Sequence, residues 1–551
     1  MRQIGQRRRV IDWDARSAGQ VAFAADLRFD GLLHGAILRS PHPHARIQRI
    51  DTARARALPG VGAVITAADF PAGARYQHEG ARDRPPLADG EVCFIGQEVA
   101  AVAAETLAQA QAALRAIEIE YEPLPASLSV EEALASPVAL HERPTGLANL
   151  SHRMARRWGK AAEGREASTH RVAGMFRFPR QIHACMETNV TVARWDETEQ
   201  RMHLWTSTQA PYFIVKEVSR LLGLEARQVV CHEVGVGGGF GAKSKICEQE
   251  AIAALLARVA GRPVRLRLTR EEEFETTKTR HAFATDLRLH ADAGGRLRAI
   301  DGMIDVENGA YNHSGVSVLG AAIKALGMLY KPDGVDTVGR LVDTAMVPGG
   351  QFRGYGSTQT SFALECLMDE LAAKLGVDPL ELRRRNANLA GETTAVGARL
   401  GSARLVECLD AVRAAIGWDA ARAQKRPGIG VGVASGVHVS GSYVGPGANR
   451  SDAAIDILPD SRVRIRFGGA DAGTGQKTIL AQIAAEELGV DIGAVDVLTM
   501  DSDRTPFDMG AWSSRGTHYG GHAVRQTALA AAAKLRTLAA AELGGEALVL
   551  E

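Results

Sequence analysis

Apolar residues in the first 150 positions fall in short runs at strand spacing. Leu32, Leu33, Ile37 and Leu38 predict a strand ending at Ser40-Pro41-His42-Pro43. Alternation through Arg46-Ile47-Gln48-Arg49-Ile50 predicts a second, and Val61-Gly62-Ala63-Val64-Ile65, opened by Pro59-Gly60, a third. Glu98 to Val102 reads as a buried strand, the alanine-rich Thr106 to Ala116 as a helix, and Ile117 to Tyr121 as a strand again. Together these predict a compact α/β unit over residues 15–150. The polar, arginine-rich stretch from Pro144 to Arg171 reads as a linker. Over 172–400 strands alternate with helices: Val229-Val230-Cys231, then Gln249 to Ala260, alternating runs at Asp286 to His290 and Leu297 to Val306, and a helix from Ser361 to Leu375. A helix is also expected from Pro211, with Ser207 and Thr208 placed to cap it. A third region, 428–551, includes the helix Ala528 to Leu543. The fold class is therefore multidomain α/β and α+β.

One internal echo runs through this pattern. Gln209 and Gln476 each lead into a helix, a Leu-Gly turn (Leu222-Gly223, Leu488-Gly489) and a valine strand (Val229-Val230; Val495 and Val497). A duplicated unit and a chance recurrence of a common joint are both open on the sequence.

Composition narrows the function classes. With 65 basic and 64 acidic side chains there is no global field to favour nucleic acid or an anionic membrane. The six cysteines form no CxxC cluster, so neither an iron–sulfur centre nor a structural zinc site is expected, and reduced thiols fit a cytoplasmic location. Arg7, Arg8 and Arg9 invite an export reading, but Asp12, Asp14 and Arg16 stand where an apolar segment would have to lie. No apolar run approaches the length of a bilayer span.

The chemistry concentrates in glycine loops. Gly235-Val236-Gly237-Gly238-Gly239-Phe240-Gly241-Ala242-Lys243-Ser244 follows a strand and precedes a helix. It fails the phosphate-loop signature because Ala242 precedes the lysine, and fits a dinucleotide fingerprint only by force. Three further loops accompany it: Pro348-Gly349-Gly350-Gln351-Phe352-Arg353-Gly354-Tyr355-Gly356, Gly468-Gly469-Ala470-Asp471-Ala472-Gly473-Thr474-Gly475-Gln476, and Gly510-Ala511-Trp512-Ser513-Ser514-Arg515-Gly516-Thr517. Glycine lets a backbone approach a bulky ligand closely, and arginine and hydroxyl groups in the same loops suit an anionic one. The residues weigh toward a large phosphate-bearing cofactor over tight turns alone.

Gly237-Gly238-Gly239-Phe240-Gly241 with Lys243, followed by Gln351-Phe352-Arg353-Gly354-Tyr355-Gly356, resembles the paired signatures of the xanthine dehydrogenase, aldehyde oxidase and carbon monoxide dehydrogenase family. Leu33-His34-Gly35-Ala36 to Ser40-Pro41-His42-Pro43-His44-Ala45 is similar to that family's α/β hammerhead domain, and His183-Ala184-Cys185-Met186-Glu187 and Ser207-Thr208-Gln209 match further landmarks. The resemblance spans nearly the whole chain. It implies a hammerhead domain over 15–150, a first molybdopterin-binding domain over 172–400 and a second, incomplete one over 428–551. It also implies roles. Gln209 is the catalytic glutamine that hydrogen-bonds the oxo ligand of molybdenum. Gly239, Phe240 and Gly241 form the loop beside it, with Phe240 and Gly241 offering backbone amides. Arg353 holds the pterin, flanked by Phe352 and Gly354. Gly473 and Thr474, then Ser513, Ser514 and Arg515, supply further cofactor contacts, and Ser244 and Tyr355 face the substrate pocket. The pterin dithiolene holds the metal, so no protein ligand is expected. The cofactor is molybdenum-molybdopterin, with the cytosine dinucleotide form favoured. Separate 2Fe-2S and FAD subunits would carry electrons away.

Departures from the family pattern narrow the substrate. Ser244 stands where purine-oxidising relatives have glutamate, Ala321 where they have arginine, and the second loop lacks the cysteine of carbon monoxide dehydrogenases. Position 474 is Thr where glutamine is usual. A small aldehyde, N-heterocycle or aromatic compound, hydroxylated or dehydroxylated, is expected instead. No Gly-Val-Gly-Glu motif, source of the family's general base, occurs in the 551 residues, so that glutamate is expected on a fuller or separate C-terminal chain. Two other readings stay open on the sequence: a nicotinamide or flavin dehydrogenase built on the 235–242 loop, and a non-catalytic assembly subunit.

Overall fold

The computed structural model describes residues 3–543 apart from 80, 82, 144, 246, 425 and 442–448. Pro144, the expected start of the linker, and the last eight positions of the third region, 544–551, lie outside the described residues. The described chain forms two compact units that interleave along the sequence. The first takes 1–124, 182–277 and 439–551, the second 125–181 and 278–438.

Strand pairing explains the interleaving of the first unit. Its main sheet has seven strands in the order Val229–His232, Arg201–Thr206, Val190–Asp196, Val264–Arg267, Leu33–Arg39, Glu98–Ala104, Val61–Thr66. The hammerhead strand Leu33–Arg39 runs parallel to Val264–Arg267, with Leu33 opposite Val264. Segments some 230 positions apart in sequence thus share one sheet and one core, in which Leu33, Leu204, Ile214, Ile252 and Leu266 are buried together. Glu98–Ala104 is buried along its whole length, as its unbroken apolar run anticipates. The helix Leu107–Arg115 starts where Thr106 Oγ1 accepts from the Gln109 amide.

Both limbs of the sequence echo are β-α-β crossovers. Arg201–Thr206, helix Pro211–Leu221 and Val229–His232 form one, and Val463–Phe467, helix Gln476–Leu488 and Val495–Thr499 the other. In each, the two strands pair in parallel, as a helical crossover requires.

The second unit is a five-stranded sheet in the order Leu150–Gly159, Gly334–Asp343, Leu297–Gly309, Phe283–Ala291, His170–Phe178. Helices Gly315–Ala325 and Ser357–Leu375 cover it, burying Leu319, Ile323, Leu364 and Leu371 against Leu287, Ile300 and Leu341. Here the linker expectation is overturned. Residues 150–178 supply both edge strands and the helix Ala161–Glu166 between them. An edge strand needs only part of one face apolar: Leu150 and Met154 are buried, while Arg153, Arg156 and Arg157 face solvent. Charge on an edge also discourages pairing with another chain, so a true strand looked like a polar tether.

Candidate functional site

In the first unit three of the four glycine loops pack together. Val236, Ala470 and Met500 are buried in one small cluster with Ala472 and Ala511 against it, joining the 235–241, 468–476 and 510–515 loops. Gln209 stands between the first of these loops and the 510–515 loop and is 7% exposed. Its backbone amide donates to Lys243 O (2.8 Å) and its carbonyl accepts from the Ala511 amide (2.8 Å). Its side chain bridges the same loops: Oε1 accepts from the Gly241 amide at 3.1 Å and Nε2 donates to Ala511 O at 2.6 Å. The Gly241 amide, expected to face a cofactor oxygen, is therefore engaged by Gln209. A Cβ at Gly239 would stand 2.4 Å from Gln209 Oε1, so any side chain there would displace the Gln209 amide.

The expected cap by Ser207 and Thr208 is not made. Ala210 occupies the N-cap of helix Pro211–Leu221 without a side-chain cap bond, and Pro211 opens the helix. Thr208 Oγ1 instead accepts from the Ala210 amide and donates to Lys243 O (3.3 Å), so it braces the glycine loop. Tertiary neighbours have taken the hydroxyls that a local pattern assigned to the helix.

A buried ion pair anchors the first loop from beneath. Lys243, its side chain wholly buried, donates to Glu187 Oε2 at 2.6 Å and Glu187 O at 3.0 Å, and Glu187 Oε2 also accepts from the Gly237 amide at 2.7 Å. A side chain at 237 would meet Glu187 Cβ at 2.4 Å. Both residues were visible in the sequence landmarks, but nothing there pairs them across 56 positions. Burial pushes the Cys185 thiol up, and its Sγ donates to Gly239 O at 3.5 Å. Ser244 is 2% exposed and donates to Gly241 O at 2.8 Å, closing the turn.

Phe240 sits at φ +53°, with its side chain 48% exposed. Ser513 and Ser514 are consecutive left-handed residues at φ +53° and +52°. Each such non-glycine conformation costs of order 1–3 kcal/mol and persists where the surroundings impose it, often at functional sites. The surroundings are explicit: Ser513 Oγ donates to Gly441 O, Ser513 O accepts from the Gly441 amide (2.7 Å), and Ser440 Oγ donates to Ser514 O (2.9 Å). A short π-helical turn, Gly516–Gly520, follows and leads into helix Gly521–Leu543. Arg515 turns inward. Its side chain is 1% exposed, meets both Asp508 oxygens at 3.0 and 2.9 Å, and donates to Arg450 O and Ser451 Oγ at 2.7 Å each. Its guanidinium is thus a buttress of the serine loop, the loop expected to contact the cofactor. In the third loop Asp471 gathers the amides of Gly473, Gly475 and Lys477 and the Thr474 hydroxyl. Gly473 and Thr474 stay exposed, and nothing lies within 4 Å of where a Gly473 side chain would begin.

The fourth loop belongs to the second unit. Tyr355 has φ +49° between Gly354 at +94° and Gly356 at +92°. Its amide donates to Phe352 O and the Ser357 hydroxyl to Gly354 O, a knot leading into helix Ser357–Leu375. The Arg353 side chain is exposed and joins no ion pair among the described residues. Below the loop Arg280 is buried, lies 3.9 Å from the centre of the Phe352 ring and donates to Arg353 O at 2.8 Å. Next to it His281 is held neutral. Burial first, then the Arg180 and Arg280 charges, take its imidazole down to about 3.

The three loops packed together in the first unit, with left-handed non-glycine residues and close glycine contacts, form a candidate ligand site. Sequence and structure comparisons name the cofactor class. A molybdopterin cofactor-binding domain matches residues 140–387, a second one 411–551, and the a/b hammerhead domain of aldehyde oxidase and xanthine dehydrogenase 18–125. The chain is 32% identical over 557 residues to the xanthine dehydrogenase molybdenum-binding subunit of Escherichia coli O157:H7, covering 98% of this chain and 73% of that one. It is 31% identical to the nicotine 6-hydroxylase large subunit of Paenarthrobacter nicotinovorans, covering 98% and 69%. Quinoline 2-oxidoreductase from Pseudomonas putida 86 superposes with a TM-score of 0.92 at 31% identity, covering 99% of this chain and 72% of that one. This chain belongs to the xanthine dehydrogenase and aldehyde oxidase family of molybdenum enzymes and is a molybdopterin-cofactor-binding chain of that oxidoreductase class. Its relatives include subunits of multi-subunit enzymes. Among the described residues no helix is long and apolar enough to cross a membrane.

Proposed function

We propose that this chain is the catalytic subunit of a molybdenum hydroxylase acting on a small N-heterocycle, aldehyde or related aromatic compound. The observation that carries the reading is the packing of three glycine loops together, two of them bridged by Gln209, with Phe240, Ser513 and Ser514 held in left-handed conformations there. The residues fit the cofactor. Gly473 is open, and the exposed Arg353 joins no ion pair among the described residues, leaving a cation for an anionic group to neutralise. Gln209, Phe240 and Gly241 would face the molybdenum end, the Arg353 loop with Phe352 and Gly354 the pterin, and the Gly473–Thr474 and Ser513–Ser514 backbones its phosphate-bearing end. When bound, the cofactor supplies the two-electron oxidation of a substrate carbon, with the new oxygen derived from water. Rotation of the Gln209 amide would release the Gly241 amide, giving two hydrogen-bond donors at fixed positions. The net change is R–H plus water to R–OH, two protons and two electrons, and the electrons would pass to 2Fe-2S and FAD subunits. The cytosine dinucleotide form of the pterin and a cytoplasmic location complete the reading.

N-heterocycles lead the substrate classes because two relatives matched over nearly all of this chain are named for nicotine and quinoline. The neutral, inward Ser244 and the partly buried Tyr355 present no carboxylate to a substrate.

The assembled enzyme, purified from cells supplied with molybdate, should contain about one molybdenum per chain and release a pterin on acid treatment. It should hydroxylate an N-heterocycle with oxygen from labelled water. Arg353→Ala should lower molybdenum occupancy, the lost charge-assisted contact being worth ~1.5–3 kcal/mol, while the fold persists. Zinc in place of molybdenum would refute the assignment.

A further inference from the structure

One buried arginine of the second unit stands apart from the buried Arg383 and the half-buried Arg143 and Arg180. Arg383 pairs with Glu365 and Asp369, Arg143 with Asp343, and Arg180 with Glu307. Arg280 is 6% exposed and pairs with no carboxylate among the described residues. Its Nε donates to Gln181 Oε1 at 3.0 Å, Nη1 to Thr358 Oγ1 at 2.8 Å and Gln359 Oε1 at 3.4 Å, and Nη2 to Arg353 O at 2.8 Å. Every acceptor is neutral. Burial alone takes the guanidinium down to about 10. Its plane lies 3.9 Å from the centre of the Phe352 ring. The neighbouring imidazole of His281 feels the same positive field.

Burying a cation without a counter-ion costs stability, and a neutral side chain of similar volume would serve packing at least as well. Arg353, whose own backbone carbonyl Arg280 holds, is exposed and also joins no ion pair among the described residues. One loop thus carries one unpaired guanidinium and is held by another. We propose that Arg280 is a positioning residue for that loop: it fixes the Arg353 carbonyl and the Phe352 ring, and its charge is balanced by the anionic, phosphate-bearing cofactor once bound. This rests on the placement of the Arg353 loop at the pterin under the proposed function.

The test compares cofactor-loaded enzyme with the same chain made in a host unable to synthesise the pterin. Molybdenum and pterin per folded chain are measured after gel filtration, and Tm in both forms. Arg280→Met should lower occupancy about tenfold or more, the scale of losing a charge-assisted interaction. It should narrow the Tm gap between loaded and empty protein, lowering the loaded Tm by more than the empty one. Arg280→Lys keeps the charge without the planar fork and should recover part of the occupancy. Unchanged occupancy with both Tm values lowered equally would overturn the proposal and leave Arg280 as ordinary packing. Should Arg280→Met fail to fold, Arg280→Lys decides: occupancy below wild type at an unchanged empty-form Tm supports the proposal, and wild-type occupancy refutes it. Full occupancy in Arg353→Ala refutes instead the underlying placement of the loop at the pterin, whatever Arg280 does.

Discussion

Gln209→Ala isolates the contribution of one side chain that bridges two of the glycine loops. It removes the bond to the Gly241 amide at 3.1 Å and the bond to Ala511 O at 2.6 Å. The main-chain bonds to Lys243 and Ala511, both 2.8 Å, remain and keep the loops tethered. Two hydrogen bonds at ~0.5–1.5 kcal/mol each put the expected loss of stability at about 1–3 kcal/mol for the empty protein. The helix that follows contributes nothing further, because no side-chain cap is lost. Thr208 still braces Lys243 O. In loaded enzyme the amide is expected to serve the metal end of the cofactor, so turnover per molybdenum should fall by ~10²-fold, the scale of losing one oriented donor in a fixed site. Arg353 and the serine loop should keep occupancy near that of wild type. Chemical denaturation of the empty protein, steady-state turnover and molybdenum content make the three measurements. Normal turnover per molybdenum in a variant destabilised by 1–3 kcal/mol would show that Gln209 only ties the loops together.

Two further outcomes follow from the same geometry. Arg515→Met leaves Asp508 buried with only Ser451 and the Gly510 amide. Breaking such a pair should cost ~3–5 kcal/mol and loosen the serine loop, seen as a lower Tm and as faster proteolysis near Ser513; an unchanged Tm would mean the pair is dispensable. His281, taken from 6.5 down to about 3 by burial, is neutral when folded. Above pH 6.5 it adds no pH dependence. As the pH falls below that, the unfolded chain binds a proton that the folded chain refuses, so stability falls until about pH 3. At pH 5 the loss is about 2 kcal/mol, and denaturation of His281→Gln at pH 7 and pH 5 should show a pH difference smaller by that amount. An equal difference in both proteins would place the acid sensitivity elsewhere.

Periodicity and turn chemistry were enough to locate the elements with the strongest local signals. Alternation marked Ala45–Asp51 and Phe283–Ala291, the unbroken apolar run marked Glu98–Ala104, and Thr106 marked the start of its helix. These signals are local, carried by residues within a few positions of one another. The glycine loops were legible for the same reason, and their motifs carried the family. What the sequence alone left hidden depends on contacts between distant segments. Leu33–Arg39 joins a sheet with Val264–Arg267, so the hammerhead strands and the middle of the chain share one core. The arginine-rich stretch after Pro144 read as a tether because an edge strand needs few apolar residues. Side-chain assignments moved most. Thr208 left its helix for Lys243 O, Arg515 turned inward to Asp508, and Gln209 spent its amide on Gly241 and Ala511. A buried polar group must be satisfied by whichever partner the fold brings near, and that partner lies anywhere in the chain. Sequence determined which residues could do chemistry here, and only the packing decided which of them turn inward to hold the others in place.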